Sequence, residues 1–141
     1  MATGLIPSIV SAREQRPRRI LLRSSWQTVN IGDIAHTPGM LALLEDQIPD
    51  AEVTLWPSPL TTEVEALLLK RFPKLRIAST KADQDQALDH CDFFLHGSGP
   101  GLVGAREADR ARAIGKPYGF GGVTLNDDEI KKYHDLLEAS K

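Results

Sequence analysis

The sequence predicts one α/β domain of the Rossmann-like type, a three-layer sandwich in which helices cover both faces of a five-stranded parallel sheet. Strand-type and helix-type patterns alternate from residue 19 onward, without repeats, low-complexity tracts or internal linkers. Parallel strands are joined by right-handed crossovers, so the expected strand order is 3-2-1-4-5. A length of 141 residues fits one domain with one continuous core.

Composition and charge exclude several function classes. Hydrophobic residues make up 41% of the chain and charged residues 26%, which is ordinary for a globular protein. The net charge of −2 argues against nucleic acid as the main partner, because phosphate-binding surfaces carry a strong basic excess. No apolar run has the length of a transmembrane segment.

The N-terminal segment, residues 1–17, is expected to be an arm ahead of a domain that spans residues 18–141. Its apolar stretch, residues 4–10, precedes its basic residues, whereas a secretory signal has the reverse order. A cytoplasmic protein is therefore the expectation. The arm is either flexible or packed on a neighbouring subunit, which leaves a homo-oligomer or a partner domain open.

The first strand is predicted at residues 19–25, followed by a polar turn at residues 27–33. A helical pattern comes next, and its apolar residues have helix-compatible spacing. These residues are Ile34, Leu41, Leu44 and Ile48. Pro38 and Gly39 lie inside the pattern, so either the first turns of the helix are irregular or the helix begins after them.

The second strand, residues 52–56, ends at a Pro-Ser-Pro breaker. Thr62 and Glu65 then match a capping box ahead of an amphipathic helix, which Pro73 ends. The buried stripe of that helix is expected to consist of Val64, Leu67, Leu68 and Phe72. A short third strand follows at residues 75–78.

The polar residues 81–90 are expected to hold one or two helical turns. The fourth strand, residues 91–96, runs into a glycine-rich turn at residues 97–101 and then into a charged helix at residues 103–114. We interpret the charges of that helix as a solvated face. They are Arg106, Glu107, Asp109, Arg110 and Arg112.

Gly115 supplies the stop of the charged helix, and the last strand follows at residues 117–121. Asn126 is expected to cap a final helix, whose acidic first turn matches the helix dipole. The buried stripe of this helix is expected to consist of Ile130, Tyr133 and Leu137.

The cysteine and the histidines predict no metal site. Cys91 is the only cysteine and is expected to pack inside the fourth strand rather than to react. The four histidines have no partners at metal-ligand spacing. Of these, His90 and His134 are expected at the surface, whereas His36 and His96 fall near the predicted site.

A ligand site is predicted where the strand order reverses, between the first and fourth strands, because open parallel sheets bind ligands beyond the carboxyl ends of their strands. Two unusual turns, residues 28–33 and 96–101, follow those strands. Glycines allow a ligand to approach backbone amides closely, and a helix starting just after such a turn favours an anion. The alternative is that Gly97, Gly99 and Gly101 only make a tight turn.

Three side chains near these turns are candidates for chemistry. Asp33 either caps the first helix or takes part in catalysis. His36 and His96 can serve as acid, base or anion ligand near neutral pH, or can simply satisfy local backbone groups. Residues 99–104 formally match G-x-G-x-x-G, but no carboxylate ends the next strand, so no dinucleotide and no other cofactor is predicted.

Two motifs resemble the polysaccharide pyruvyl transferase family. The first is Asn30-Ile-Gly-Asp33 opening a helix after the first strand, and the second is the stretch from Asp92 to Gly99, which ends in His-Gly-Ser-Gly. The Gly115-Lys-Pro117 stretch before a glycine-ending strand is also similar. The resemblance covers about residues 19–125, and in the family a glycine stands where Ser98 is found here.

The resemblance implies half of a GT-B-like enzyme that transfers a carboxyvinyl unit from phosphoenolpyruvate to hydroxyls of a sugar or glycolipid acceptor. It implies a second domain beyond Lys141 that supplies much of the donor site, so the chain alone would be incomplete. Asp33, His36 and His96 are the catalytic candidates. The substrate-binding candidates are Asn30, Gly32, Gly97, Ser98, Gly99 and Gly101, and the equivalent of Asp92 would also line the cleft. A non-catalytic nucleotide- or phosphosugar-binding or interaction module is the alternative.

Overall fold

The computed structural model describes residues 16–24, 31–97 and 99–141. In chain order its strands are β1 (Arg19–Arg23), β2 (Glu52–Trp56), β3 (Arg76–Ile77), β4 (Phe93–His96), β5 (Gly99–Pro100), β6 (Tyr118–Phe120) and β7 (Val123–Thr124). Five of them form one parallel sheet in the order β3-β2-β1-β4-β6, which confirms the predicted order of the five main strands. The sequence did not predict the separate two-stranded parallel sheet of β5 and β7.

The described residues form six helices, of which four lie between strands and two follow β7. They are α1 (Ile31–Gln47), α2 (Thr62–Arg71), α3 (Lys81–His90), α4 (Ala105–Ala113), α5 (Asp127–Lys132) and α6 (His134–Glu138). Successive side chains of a strand point to opposite faces, so Ile20 and Leu22 pack with α1 and α2 while Leu21 packs with α3, α4 and α6. The two buried clusters make the predicted three-layer sandwich.

The sheet face that carries α1 is only partly covered where it reaches β4. Phe93 and Leu95 are half-buried there. Together with Ile20, Leu44 and Ile48 they line a groove of about 740 Å³ near the amino end of the sheet. The other face is closed more completely, because the small residues of α4 allow this helix to approach β4 and β6 closely.

Helix α1 is continuous from Ile31 across Pro38. Proline removes a helical N–H donor, which ordinarily kinks or ends a helix. Here Thr37 and Leu41, on either side of the proline, are 1% and 3% exposed. The packing of these two side chains holds the helix in one piece, so neither an irregular start nor a later start is observed.

The N-cap of helix α2 lies one residue earlier than predicted. Thr61, not Thr62, is the N-cap, and its Oγ1 accepts a hydrogen bond from the amide of Val64 at 3.4 Å. The predicted capping box is therefore wrong, and the Glu65 side chain is not used at the helix start. The predicted stripe also fails at Leu67, which is 66% exposed, whereas Leu68 and Phe72 are buried.

Two other helices differ from expectation. Helix α3 spans ten residues rather than one or two turns, because Thr80 and Asp83 form a reciprocal capping box at its start. The last helix begins after its predicted cap, Asn126, but breaks at Tyr133. The predicted stripe is confirmed at Tyr133 and Leu137, which are partly buried against the core. It is wrong at Ile130, which is 45% exposed, and it did not include Leu136, which is buried.

Among the described residues, no helix combines the length and the apolar character that crossing a bilayer requires.

Candidate functional site

The turns after β1 and β4 begin at the same edge of the sheet. Arg23 and His96, the last residues of these two neighbouring strands, are partners in the parallel ladder. The amide of Gly97 continues the ladder by donating to the Arg23 carbonyl at 2.7 Å. Ser24 and Thr37 share a side-chain hydrogen bond, which holds the second turn of α1 against the end of β1. The described parts of both predicted turns therefore lie at one edge.

Several predicted site residues fall outside the described part of the chain. Asn30 and Ser98 lie outside the described residues, as does the side chain of Asp33. Gly32 is exposed in the first turn of α1, and His36 is half-buried in its second turn. The roles proposed for these residues stay predictions.

Six polar residues, four buried and two half-buried, form a cluster at this edge, which we call the switch-point cluster. Its members are Arg23, Ser24, Thr37, Ser58, His96 and Glu107. They come from β1, α1, β4, α4 and the loops after β1 and β2, so the tertiary fold alone brings them together. The cluster lies where the strand order reverses, which is the ligand-binding position of open parallel sheets.

Arg23 is the central cation of the cluster and is only 9% exposed. Its Nη1 donates to the Ser24 carbonyl and, at 3.2 Å, to Ser58 Oγ. Its Nε lies 3.8 Å from Glu107 Oε1, too far for a hydrogen bond, and has no hydrogen-bond partner among the described residues. Burial lowers the pKa of Arg23 and the charge of Glu107 opposes this shift, but the guanidinium stays charged.

His96 is 1% exposed, and both of its ring nitrogens are engaged within the chain. Nδ1 lies 2.8 Å from the Gly97 carbonyl, and Nε2 lies 2.9 Å from the amide of Gly104. Because an amide can only donate, Nε2 is the acceptor, and the neutral ring carries its proton on Nδ1. Burial lowers the pKa of His96, while the Gly97 carbonyl opposes the shift. This ring fixes the turn that leads into α4, and its catalytic role stays a prediction.

Three glycine amides of the glycine-rich turn donate hydrogen bonds within the chain. Gly97 donates to Arg23, Gly99 donates to the Gly122 carbonyl at 3.3 Å, and Gly101 donates to the Thr124 carbonyl at 2.9 Å. Gly101 also has a φ of 69°, which favours glycine. The expectation of unpaired amides facing an anion is therefore wrong at these three positions. The described bonds favour the alternative of a tight turn, and substrate binding by these glycines stays a prediction.

Helix α4 packs directly over the switch-point cluster. A Cβ atom on Gly104 would lie 2.6 Å from Arg23 Cγ and 2.9 Å from His96 Cδ2, so this close approach requires glycine. Glu107 points inward to Arg23 and is half-buried, so the predicted solvated face of α4 is wrong at this residue. Arg110 and Arg112 do face solvent, paired with Asp85 and Asp109.

A polar cleft lies beside the cluster at the carboxyl ends of β2 and β3. Its volume is about 430 Å³, and it is lined by Pro57, Ser58, Pro59, Leu60, Glu65, Ser79 and Gln84. Ser58 belongs to both the cleft and the switch-point cluster. Sequence reasoning missed this cleft because its residues come from three separate segments. The Pro-Ser-Pro breaker and the Ser-Thr pair after β3 are the signals that mark two of these segments.

Asp92 does not lie at the predicted site. It precedes β4, at the amino end of the sheet, where it accepts hydrogen bonds from Arg16 and Arg19 at 2.7–3.4 Å. These two arginines hold the pKa of the Asp92 carboxyl far below its usual range. The expectation that Asp92 lines the cleft is therefore wrong. Asp92 lies at the amino end of β4, whereas the predicted site lies at the carboxyl end of the same strand.

Sequence reasoning also missed Arg23 and Glu107. The signal that could have identified Arg23 is its place at the end of an apolar strand. Burying a charged side chain there is costly unless the charge is paired and hydrogen-bonded. Cys91, in contrast, behaves as expected: it is buried, and burial raises the pKa of its thiol. It caps α3 instead of lying within a strand.

Within the described ranges, no three His, Cys, Asp or Glu side chains are grouped so that they could hold a metal ion. Compared with protein-family models, curated proteins and solved structures, the chain matches none of them.

Proposed function

We propose that this domain is the N-terminal half of a polysaccharide pyruvyl transferase-like enzyme that transfers a pyruvyl group from phosphoenolpyruvate to sugar hydroxyls. One observation carries the proposal. The two turns that bear the family-like motifs start from neighbouring strands in register, with Arg23 beside His96, at the edge where parallel sheets bind ligands.

The reaction sets three requirements on such a site. One sugar hydroxyl adds its oxygen to C2 of phosphoenolpyruvate while C3 gains a proton, and a second hydroxyl then displaces inorganic phosphate to give a ketal. The methylene carbon needs a general acid, the hydroxyls need a base, and the anionic donor needs cations. Asp33 and His36, at the start of α1, are the acid and base candidates that the resemblance implies.

Arg23 is the cation that this domain supplies at the site. The guanidinium lies at the carboxyl edge, and its Nε is without a hydrogen bond in the described part of the chain. Glu107 balances its charge within the switch-point cluster. Further positive charge for the phosphate must therefore come from outside this cluster, which agrees with a donor site shared with a second domain.

The experiment incubates the full-length protein that contains this domain with [2-¹³C]phosphoenolpyruvate and a panel of methyl glycosides. Phosphate release and a ¹³C ketal signal are followed together, and the proposal expects equal amounts of both. His36→Gln and Asp33→Asn should each lower the rate about 10²- to 10⁴-fold. His90→Gln, at an exposed histidine of α3, is the matched control and should leave the rate unchanged.

The second candidate function is a non-catalytic module that binds a phosphosugar or nucleotide. The observation that favours it over catalysis is the engagement of both ring nitrogens of His96, one of the three catalytic candidates, within the chain. A ligand at a hundredfold excess over its Kd would stabilise the fold by about 2.7 kcal/mol. Ligand-dependent thermal stabilisation without ketal formation would favour this candidate. Neither ketal nor any thermal shift with phosphoenolpyruvate would contradict both candidates.

A further inference from the structure

The cleft at the ends of β2 and β3 is joined to the switch-point cluster through one side chain. Ser58 Oγ accepts a hydrogen bond from Arg23 Nη1 and donates one to the Ser24 carbonyl, both at 3.2 Å. The same residue lines the cleft. A molecule held in the cleft would therefore lie next to the edge at which the proposed reaction takes place.

The lining of the cleft divides into an apolar part and a polar part. Pro57, Pro59 and Leu60 supply rigid apolar surface, while Glu65, Ser79 and Gln84 supply oxygen and nitrogen atoms. The carboxylate of Glu65 has no hydrogen bond to any described residue, since the helix cap lies at Thr61. Gln84 Nε2 donates to the Ala78 carbonyl at 3.2 Å, which holds its amide in place, and Oε1 has no hydrogen bond to a described residue.

The charge of the lining indicates whether the cleft suits a neutral or an anionic small molecule. Among the described residues of the lining, Glu65 is the one ionisable side chain, and it brings a carboxyl group. Phosphorylated sugars and nucleotides are therefore disfavoured, because their anionic groups would meet a carboxylate. Arg23, the cation beside the cleft, is only 9% exposed and already donates to Ser58 and to the Ser24 carbonyl. A carboxylate and an amide instead provide acceptors and donors for neutral hydroxyl groups. The volume of about 430 Å³ falls within the range of small-molecule sites.

We propose that this cleft is the subsite for one neutral sugar residue of a carbohydrate ligand. Glu65 and Gln84 bind its hydroxyl groups, and its C–H face packs on Pro57, Pro59 and Leu60. The identification of that sugar as the acceptor rests on the proposed function. Sugar binding itself does not, since it requires neither phosphoenolpyruvate nor a second domain.

The experiment is a titration of the ¹⁵N-labelled chain with methyl β-galactoside, methyl β-glucoside and methyl α-mannoside, without phosphoenolpyruvate. At least one glycoside is expected to shift the amide signals of Leu60 and Ser79 and the side-chain amide of Gln84. Glucose 6-phosphate serves as the charged comparison and should bind at least fivefold more weakly than glucose. Absence of shifts at these positions with every glycoside would overturn the inference, as would tighter binding of the phosphate ester.

Two variants and two matched controls locate the binding. Glu65→Gln and Gln84→Ala are each expected to weaken glycoside binding about 5- to 20-fold, the loss of one or two hydrogen bonds. Glu138→Gln, an exposed carboxylate on α6, and Gln86→Ala, an exposed amide on α3, should leave it unchanged. Equal weakening by the controls would overturn the inference. Circular dichroism melting confirms that each variant is folded.

The outcomes also separate this inference from the proposed function. Glycoside shifts in the cleft without ketal formation would support the subsite and contradict pyruvyl transfer by the chain. Ketal formation without cleft shifts would support pyruvyl transfer and overturn the subsite.

Discussion

An arginine–carboxylate group lies near each end of the neighbouring strands β1 and β4, and the two groups differ in both burial and contact distance. At the amino end, Arg16 and Arg19 make short contacts to Asp92, from 2.7 to 3.4 Å, and all three side chains reach solvent. At the carboxyl end, Arg23 and Glu107 are separated by 3.8 Å, yet both side chains are nearly excluded from water.

The comparison indicates that burial, rather than the number of short contacts, decides how much each group matters. Exposed ion pairs contribute about 0–1 kcal/mol, because water and salt screen them. Removing one partner of a buried pair leaves an uncompensated charge and costs about 3–5 kcal/mol. At the amino end, Arg16 and Arg19 connect the residues before and within β1 to Asp92. At the carboxyl end, Arg23 and Glu107 form part of the candidate site.

The largest expected effect is that of Arg23→Ala. It leaves Glu107 buried without its partner and removes the stem that packs beneath Gly104, so the free energy of unfolding should fall by about 3–5 kcal/mol. Urea denaturation measures this change. The double variant Arg23→Met with Glu107→Leu replaces the pair by apolar side chains and should recover most of the loss. A loss below about 1 kcal/mol would place this pair in the same class as the exposed group.

A smaller loss is expected for Gly104→Ala, which tests how tightly α4 packs over the buried arginine. The added Cβ would meet Arg23 and His96 at less than 3.0 Å, and such overpacking costs about 1–3 kcal/mol. Gly39→Ala is the matched control. A Cβ at Gly39 has nothing within 4 Å, so this helical substitution should stabilise the protein by about 0.5–1 kcal/mol. If both variants changed stability equally, the packing described here would be incorrect.

The next prediction concerns pH and His96. Because burial lowers its pKa in the folded state, the unfolded chain binds the proton more readily below about pH 6.5. The contribution of the neutral ring is therefore fully present above this pH and is lost as the pH falls, by at most about 1.4 kcal/mol per pH unit. Urea denaturation of the wild type and of His96→Gln between pH 5 and pH 8 measures the difference, in which the other titrating groups cancel. Parallel pH profiles would contradict the prediction.

The smallest effect is expected for Asp92→Asn, at the exposed group. The loss of stability should be at most about 1 kcal/mol at low salt and should nearly vanish at 1 M salt. Since its arginine partners depress the pKa of Asp92, this contribution is present above about pH 3.8 and is lost as the pH falls below it. Glu52→Gln, in the looser exposed pair with Arg76, is the control and should cost less. A larger loss of stability for Asp92→Asn than for Arg23→Ala would contradict the conclusion that burial decides how much each group contributes.

Much of the architecture could be predicted because its signals are local. The apolar runs of β1, β2 and β4, the stop at Pro73 and the cap at Asn126 each act within a few residues, and the handedness of crossovers then orders the strands. The local signals failed where two neighbouring residues could both be the N-cap of a helix, as Thr61 and Thr62 could for α2. They also failed at Tyr133, where the break in the last helix depends on packing against the sheet.

The candidate site was predictable in position but not in detail. Strand order alone placed it at the ends of β1 and β4. The engagement of Gly99 and Gly101 could not be predicted, because their partners, Gly122 and Thr124, lie more than twenty residues further along the chain. The inward direction of Glu107 depends likewise on Arg23, which comes from a distant strand.

The sequence by itself determined the class of fold, the order of its elements and the edge at which a ligand site would lie, since periodicity, caps and breakers act through the nearest neighbours in the chain. Only the tertiary structure decided which polar groups are buried together and which are left free. Long-range packing brings Arg23, His96 and Glu107 into one water-excluded cluster and leaves Glu65 facing an open cleft. Burial and hydrogen-bond satisfaction depend on residues far apart in sequence, and no local pattern encodes them.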